Sequence, residues 1–160
     1  MGVFFDASEI FQFAVRIEEN GEKFYRDIAE RSGPGEIREL FSYLAGEETV
    51  HRKIFLGMLE KVEKYEPPET YPGEYFQYLR SYADNLIFSG DTEKQMTCSK
   101  DMACVFDFAI RRELDSIMYY METKNFVKDT QHKVIDRIIN EERKHFVRLT
   151  EMKNKLAANA

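Results

Sequence analysis

The chain has 160 residues, of which 43% are hydrophobic and 32% charged, with only 8 Gly and 4 Pro and a net charge of −6. That length suits one domain (residues 1–160) with a sizeable core, and the shortage of Gly and Pro favours long helices over a turn-rich β fold. The acidic balance argues against a nucleic-acid or anionic-membrane surface, since both need a basic face, and no apolar run reaches the length of a membrane span.

The N-terminus has no basic segment followed by an apolar run, so no secretory signal is expected. Cys98 and Cys104 form no CxxC pair, which leaves no cysteine-ligated metal site in this sequence and makes a thiol-reduced, cytoplasmic setting the default.

Asp6 and Glu9 form a capping box for a first helix over Ala7–Arg31. Its apolar seam reads Phe11, Ala14, Glu18, Gly21, Tyr25, Ile28, the 3–4 spacing of a bundle helix with one carboxylate in its middle. Ser32-Gly33-Pro34-Gly35 ends it and suits an antiparallel hairpin. A second helix is predicted from Pro34 to about Tyr65, with Ile37, Phe41, Leu44, Glu48, His51, Phe55, Met58 and Val62 on its seam. Glu48 and His51 are three positions apart and so share a helix face. Both fall on the apolar line, where a surface salt-bridge pair would not.

A Pro-rich break over 66–73 precedes an aromatic segment, 74–88, predicted as a short helix across the bundle. About 30 residues then separate the second and third long helices, too many for a hairpin, so one long crossover is expected. The third helix is predicted over 97–126 with Met102, Phe106, Ala109, Glu113, Ser116 and Tyr120 on its seam. The fourth, capped near Asp129 or Thr130, carries Ile135, Ile138, Glu142, His145, Leu149 and Met152, with a frayed tail over 156–160. His132 lies off this seam and reads as exposed.

The halves repeat. Phe11–Glu18 overlays Phe106–Glu113 without a gap, Tyr25 and Tyr120 each follow a seam glutamate by seven residues, and Glu47-Glu48-x-x-His51 matches Glu141-Glu142-x-x-His145. Two hairpins related by a pseudo-two-fold axis would face these groups toward each other. Four buried carboxylates repel one another unless neutralised. Two divalent cations balance them, and neutral imidazoles add no charge. Glu18, Glu48, His51, Glu113, Glu142 and His145 are therefore the expected metal ligands. Oxygen donors with one nitrogen per metal suit iron, with manganese or a mixed pair possible and zinc as an adventitious occupant. Glu48 and Glu142 would bridge the metals, His51 and His145 would each cap one, and Glu18 and Glu113 would be terminal or shifting ligands. The Tyr25 and Tyr120 hydroxyls admit two readings, donation to the carboxylates or simple core packing.

On Glu18 with Tyr25, Glu48 with His51, Glu113 with Tyr120 and Glu142 with His145, the chain resembles the rubrerythrin group of the ferritin-like superfamily. The resemblance implies an all-α, ferritin-like four-helix bundle, two iron ions and a homodimer; a dimer also suits the 13 Phe and 9 Tyr. It implies reduction of hydrogen peroxide or dioxygen at a di-iron centre, with Glu18, Glu113, Tyr25 and Tyr120 as catalytic candidates. Typical rubrerythrins append a rubredoxin-like domain with CxxC pairs, so an external, rubredoxin-like electron donor is expected here. They also carry a further glutamate three residues after the one matching Glu113, where this chain has Ser116. Glu22 is a candidate replacement or a solvated side chain, and the matching first-helix position is Gly21, so both places beside the metals are small. That leaves room for an oxidant or allows close helix packing. Iron binding without turnover is the alternative function, and an interaction module with vestigial glutamates is a third.

Overall fold

The structure is a computed structural model and describes residues 7–61, 73–82 and 101–160. Four long helices and one short one make up these residues: α1 (Ala7–Arg31), α2 (Glu36–Lys61), α3 (Gly73–Tyr82), α4 (Met102–Thr123) and α5 (Asp129–Ala158). There are no strands among them. Helices α1 and α2 pair as one hairpin and α4 and α5 as the other; α1 also meets α4, and α2 meets α5. The short helix α3 lies within the crossover. This is the expected four-helix bundle.

Boundaries differ from the sequence expectation where local chemistry decides them. Gly35 has φ of +144°, outside the helical range, so α2 starts at Glu36 and not at Pro34. The expected ends of α2 beyond Lys61, of the aromatic segment beyond Tyr82 and of the third helix before Asp101 lie outside the described residues, as does Asp6. Asp101 caps α4 by accepting from the Ala103 N–H at 3.0 Å. The last turn before Val127 is a 3₁₀ turn, Lys124–Phe126, where α-helix was expected. The cap of α5 is Lys128, with no side-chain bond, and Asp129 sits in the first turn facing the helix dipole. The tail is helical to Ala158, and Lys155 anchors it by donating to both Glu36 oxygens at 2.7 Å. Cys104 is disulfide-bonded, which departs from the reduced-thiol expectation.

The apolar seams close into two layers. One contains Phe11, Phe55, Tyr119, Tyr120, Ile135 and Ile138, the other Phe24, Tyr25, Phe41, Leu44, Phe106 and Leu149. Burying each large side chain contributes roughly 1.5–3 kcal/mol. Between these layers lies a slab of charge: Glu18, Glu48, His51, Glu113, Glu142 and His145 are all at most 5% exposed.

Candidate metal centre

Each helix of the bundle delivers its polar residues to this slab from an apolar seam: Glu18 from α1, Glu48 and His51 from α2, Glu113 from α4, Glu142 and His145 from α5. All six are brought together. Their ligand atoms form two overlapping sets, Glu18, Glu48, His51 and Glu142, and then Glu48, Glu113, Glu142 and His145, with the atoms of each set within 4.8 Å of one another. Glu48 and Glu142 belong to both. His51 Nδ1 lies 2.7 Å from Glu142 Oε1 and 3.6 Å from Glu18 Oε2. His145 Nδ1 lies 3.6 Å from Glu142 Oε2, 3.7 Å from Glu113 Oε2 and 3.9 Å from Glu48 Oε1. The two imidazoles stack at 5.7 Å between centroids.

The donors are aimed at common points without satisfying one another. Glu18 Oε2, Glu113 Oε2, Glu142 Oε1 and the Nδ1 atoms of His51 and His145 are buried and make no hydrogen bond. Even the 2.7 Å approach of His51 to Glu142 lacks hydrogen-bond geometry. Orphaned buried polar atoms cost about 1–3 kcal/mol each, and five of them converging on two points fit a pair of cations. The donor set, carboxylate oxygen with one imidazole per set, is that of iron or manganese.

The electrostatics of the metal-free cluster agree. Burial, then the neighbouring carboxylates Glu18 and Glu142, raises the Glu48 carboxyl well above its ordinary range. Burial and Glu142 do the same to Glu113. Burial alone would lower His51, but the Glu142 and Glu18 carboxylates overcome it and hold the imidazole up at about 12; Glu113 and Glu142 likewise hold His145 at about 10. Glu142 goes the other way: burial would raise it, but the adjacent Glu113, His145 and His51 groups lower it. Protons here do the neutralising that cations would do, so metal loading must expel them.

Tyr25 donates to Glu113 Oε1 and Tyr120 to Glu18 Oε1, so of the two readings for these hydroxyls, donation to the carboxylates is the one observed. Each bonds across to the other hairpin. Seven residues carry a helix about 10.5 Å along its axis, too far for a tyrosine to reach the glutamate of its own helix.

Gly21 does not leave a vacancy. A Cβ built there would lie 2.8 Å from Glu48 Oε2, so the missing side chain makes room for the Glu48 carboxylate. Glu22 turns away from the cluster to Arg26 at 2.8 Å and Arg52 at 3.2 Å. His132, expected to be exposed, is half-buried, with Nε2 3.2 Å from the Val127 carbonyl oxygen.

Two residues were given no role from the sequence. Glu141 Oε2 accepts from His51 Nε2 at 2.7 Å, and Glu47 Oε2 lies 3.8 Å from His145 Nε2. The Glu141 carboxylate on the far nitrogen of His51 fixes the tautomer that leaves Nδ1 free for a metal, whereas Glu47 stands beyond hydrogen-bond reach of His145. The signal was present in the doubled glutamates, Glu47-Glu48 and Glu141-Glu142.

The rubrerythrin family model matches residues 9–153. The chain belongs to the rubrerythrin family. A crystal structure from Thermotoga maritima, described as that of a ferritin-like diiron-carboxylate protein, is 29% identical over 94% of this chain and 95% of that one, with a TM-score of 0.65. No curated protein matches the chain. A ferritin-like fold and a buried cluster fitted to two metals are what this rubrerythrin family member has, and among its described residues no helix is long and apolar enough to cross a membrane.

Proposed function

We propose that this chain is a cytoplasmic di-iron carboxylate oxidoreductase that reduces hydrogen peroxide or dioxygen with electrons from an external, rubredoxin-like donor, and that it works as a homodimer. The observation that carries this reading is the convergence of unpartnered buried donor atoms in two sets that share Glu48 and Glu142. In this reading Glu48 and Glu142, common to both sets, would be shared by the two metals, with Glu18 and His51 completing one set and Glu113 and His145 the other. When bound there, a ferrous pair would supply the two electrons that the reduction needs.

The protein's own groups do the rest. Tyr25 and Tyr120 occupy one oxygen each of Glu113 and Glu18, which leaves the second oxygen to face the metal. Glu141 orients the His51 imidazole. The apolar layers on both sides keep bulk water from competing for the ligands.

The second reading, iron handling with slow oxidation and no peroxide turnover, is favoured by one feature. Ser116 stands in the place of the further family carboxylate, and Glu22 is held by arginines.

Anaerobic ferrous titration followed by hydrogen peroxide tests both readings. Two irons per chain, rapid ferric absorbance and repeated cycles with a reduced donor are expected. Two bound irons that neither peroxide nor dioxygen oxidises would overturn the redox reading, and oxidation that stops after one cycle despite donor would select iron handling. Size measurement tests the dimer.

A further inference from the structure

The pseudo-symmetry that builds the cluster breaks one residue before each buried tyrosine. The first hairpin has Phe24-Tyr25, the second Tyr119-Tyr120. Around Tyr25, the aromatic neighbours among the described residues are Phe24 at 5.3 Å and Phe41 at 5.8 Å between centroids. Phenylalanine has no phenol to oxidise, so this side ends at Tyr25.

The other side continues. The Tyr120 ring meets Tyr119 edge-on at 6.1 Å, Tyr119 stacks on Tyr82 of α3 at 6.4 Å and 8°, and Tyr82 meets Tyr78 at 6.1 Å. These are contact-range aromatic pairs. Burial rises along the row, from 46% exposure at Tyr78 to 1% at Tyr119 and 0% at Tyr120, so four rings join solvent to a ligand of the cluster.

A phenol gives up an electron at moderate potential only when its proton leaves at the same time, so the acceptors matter. Tyr120 donates to Glu18. Tyr82 donates to the Asp115 carbonyl at 2.8 Å and has Asp115 Oδ1 at 3.3 Å. Tyr119 has a backbone carbonyl, that of Ile10 at 3.4 Å, which cannot take a proton. Two stations with bases therefore flank one ring without.

We propose that Tyr120 and Tyr82, coupled through the Tyr119 ring and opened to solvent at Tyr78, carry single electrons from a one-electron donor in solution to the buried cluster. This rests on the peroxide-reducing reading above. Tyr120 passes one electron to the oxidised cluster as its phenolic proton moves to Glu18. Tyr82 then refills Tyr120, which recovers its proton from Glu18, while the Tyr82 proton moves to Asp115. The donor, ascorbate for example, returns an electron at the Tyr78–Tyr82 end and Asp115 returns the proton. Two such passages, with two protons from water, account for the conversion of one hydrogen peroxide into two waters.

The conduit can be tested without metal. A soluble ruthenium photo-oxidant, flash-generated against the metal-free protein, should place a tyrosyl radical on Tyr120, read as the transient absorbance and EPR signal lost in Tyr120→Phe. That signal should vanish in Tyr82→Phe, which keeps the ring and its packing, weaken in the surface variant Tyr78→Phe, and persist in Tyr25→Phe. No radical on Tyr120 in the wild type, or an equal yield in Tyr82→Phe, would overturn the conduit. The iron-loaded protein with peroxide decides the other question. Radical transfer without peroxide consumption would leave the conduit standing and remove the peroxide reading.

Discussion

Gly21→Ala is the perturbation for which the structure gives the clearest magnitude. The added methyl would lie 2.8 Å from Glu48 Oε2 and 3.1 Å from its Cδ, so the carboxylate must retreat by roughly half an ångström to restore ordinary contact (carbon–carbon optimum about 3.5–4.0 Å). Two effects on folding oppose each other. Overpacking costs about 1–3 kcal/mol, but the clash is with the tip of a flexible side chain, which puts the cost at the low end. Replacing Gly by Ala inside a helix returns about 1 kcal/mol. The metal-free variant should therefore melt close to the wild type. Metal binding has no such compensation, because Glu48 belongs to both ligand sets. Affinity should fall by at least the roughly 10–100-fold seen when ligand orientation is disturbed, at both metals together. Thermal unfolding of the metal-free protein and a competitive ferrous or cobalt titration measure the two sides. Unchanged affinity, or loss at one metal only, would refute the claim that Glu48 is shared and that Gly21 exists to seat it.

Glu141→Gln should weaken metal binding by roughly 10–100-fold and Glu47→Gln by less, because Glu141 sits 2.7 Å from its histidine and Glu47 3.8 Å; the same titration ranks them. In the metal-free protein, His51 and His145 are held at about 12 and about 10, against an ordinary 6.5. Their contribution to stability is complete below about pH 6.5 and is lost as pH rises through 10 and then 12. The raised Glu48 and Glu113 carboxyls act with the same sign from their ordinary 4.5 upward, so the melting temperature should fall steadily above neutrality. The metal-loaded protein should show the reverse slope on the acid side, where protons displace metal. Glu48→Gln removes a carboxylate that burial penalises and should stabilise the metal-free fold. Glu142→Gln strips the counter-charge from two buried imidazoliums and should cost roughly 3–5 kcal/mol; denaturant titration reads both, and metal content should fall in each.

The four long helices and the position of the charged slab were legible because a bundle seam admits few polar residues. Glu18, Glu48, His51, Glu113, Glu142 and His145 stand out against an apolar background with helical spacing. Periodicity fixes which face a residue takes, but not which partner it meets across the core. The exchange of tyrosines, Tyr25 to Glu113 and Tyr120 to Glu18, depends on the antiparallel offset of two hairpins, which no single helix encodes. Glu47 and Glu141 were hidden for a related reason. They lie just off the seam, where a glutamate is ordinarily solvated, and only the packing of one hairpin on the other brings them toward the outward Nε2 of the opposite histidine. Gly21 reads from sequence either as room for an oxidant or as close helix packing, and only the approach of α1 to α2 shows that the Glu48 carboxylate fills the space.

The places where the two hairpins differ carry the functional argument further than those where they agree. Agreement follows from building two equivalent ligand sets about a pseudo-two-fold axis, since each has one histidine, one carboxylate of its own and a share of two others. Symmetry cannot say from which side electrons arrive, because a symmetric cluster would accept them equally from both. The Phe24/Tyr119 difference supplies a direction, and α3 extends it, since Tyr82 adds the next ring in the row and Tyr78 the exposed one. Gly21 and Ser116 break the symmetry beside the cluster itself. On the α1 side the Glu48 carboxylate fills the space, whereas on the α4 side a half-buried serine hydroxyl stands one turn after Glu113.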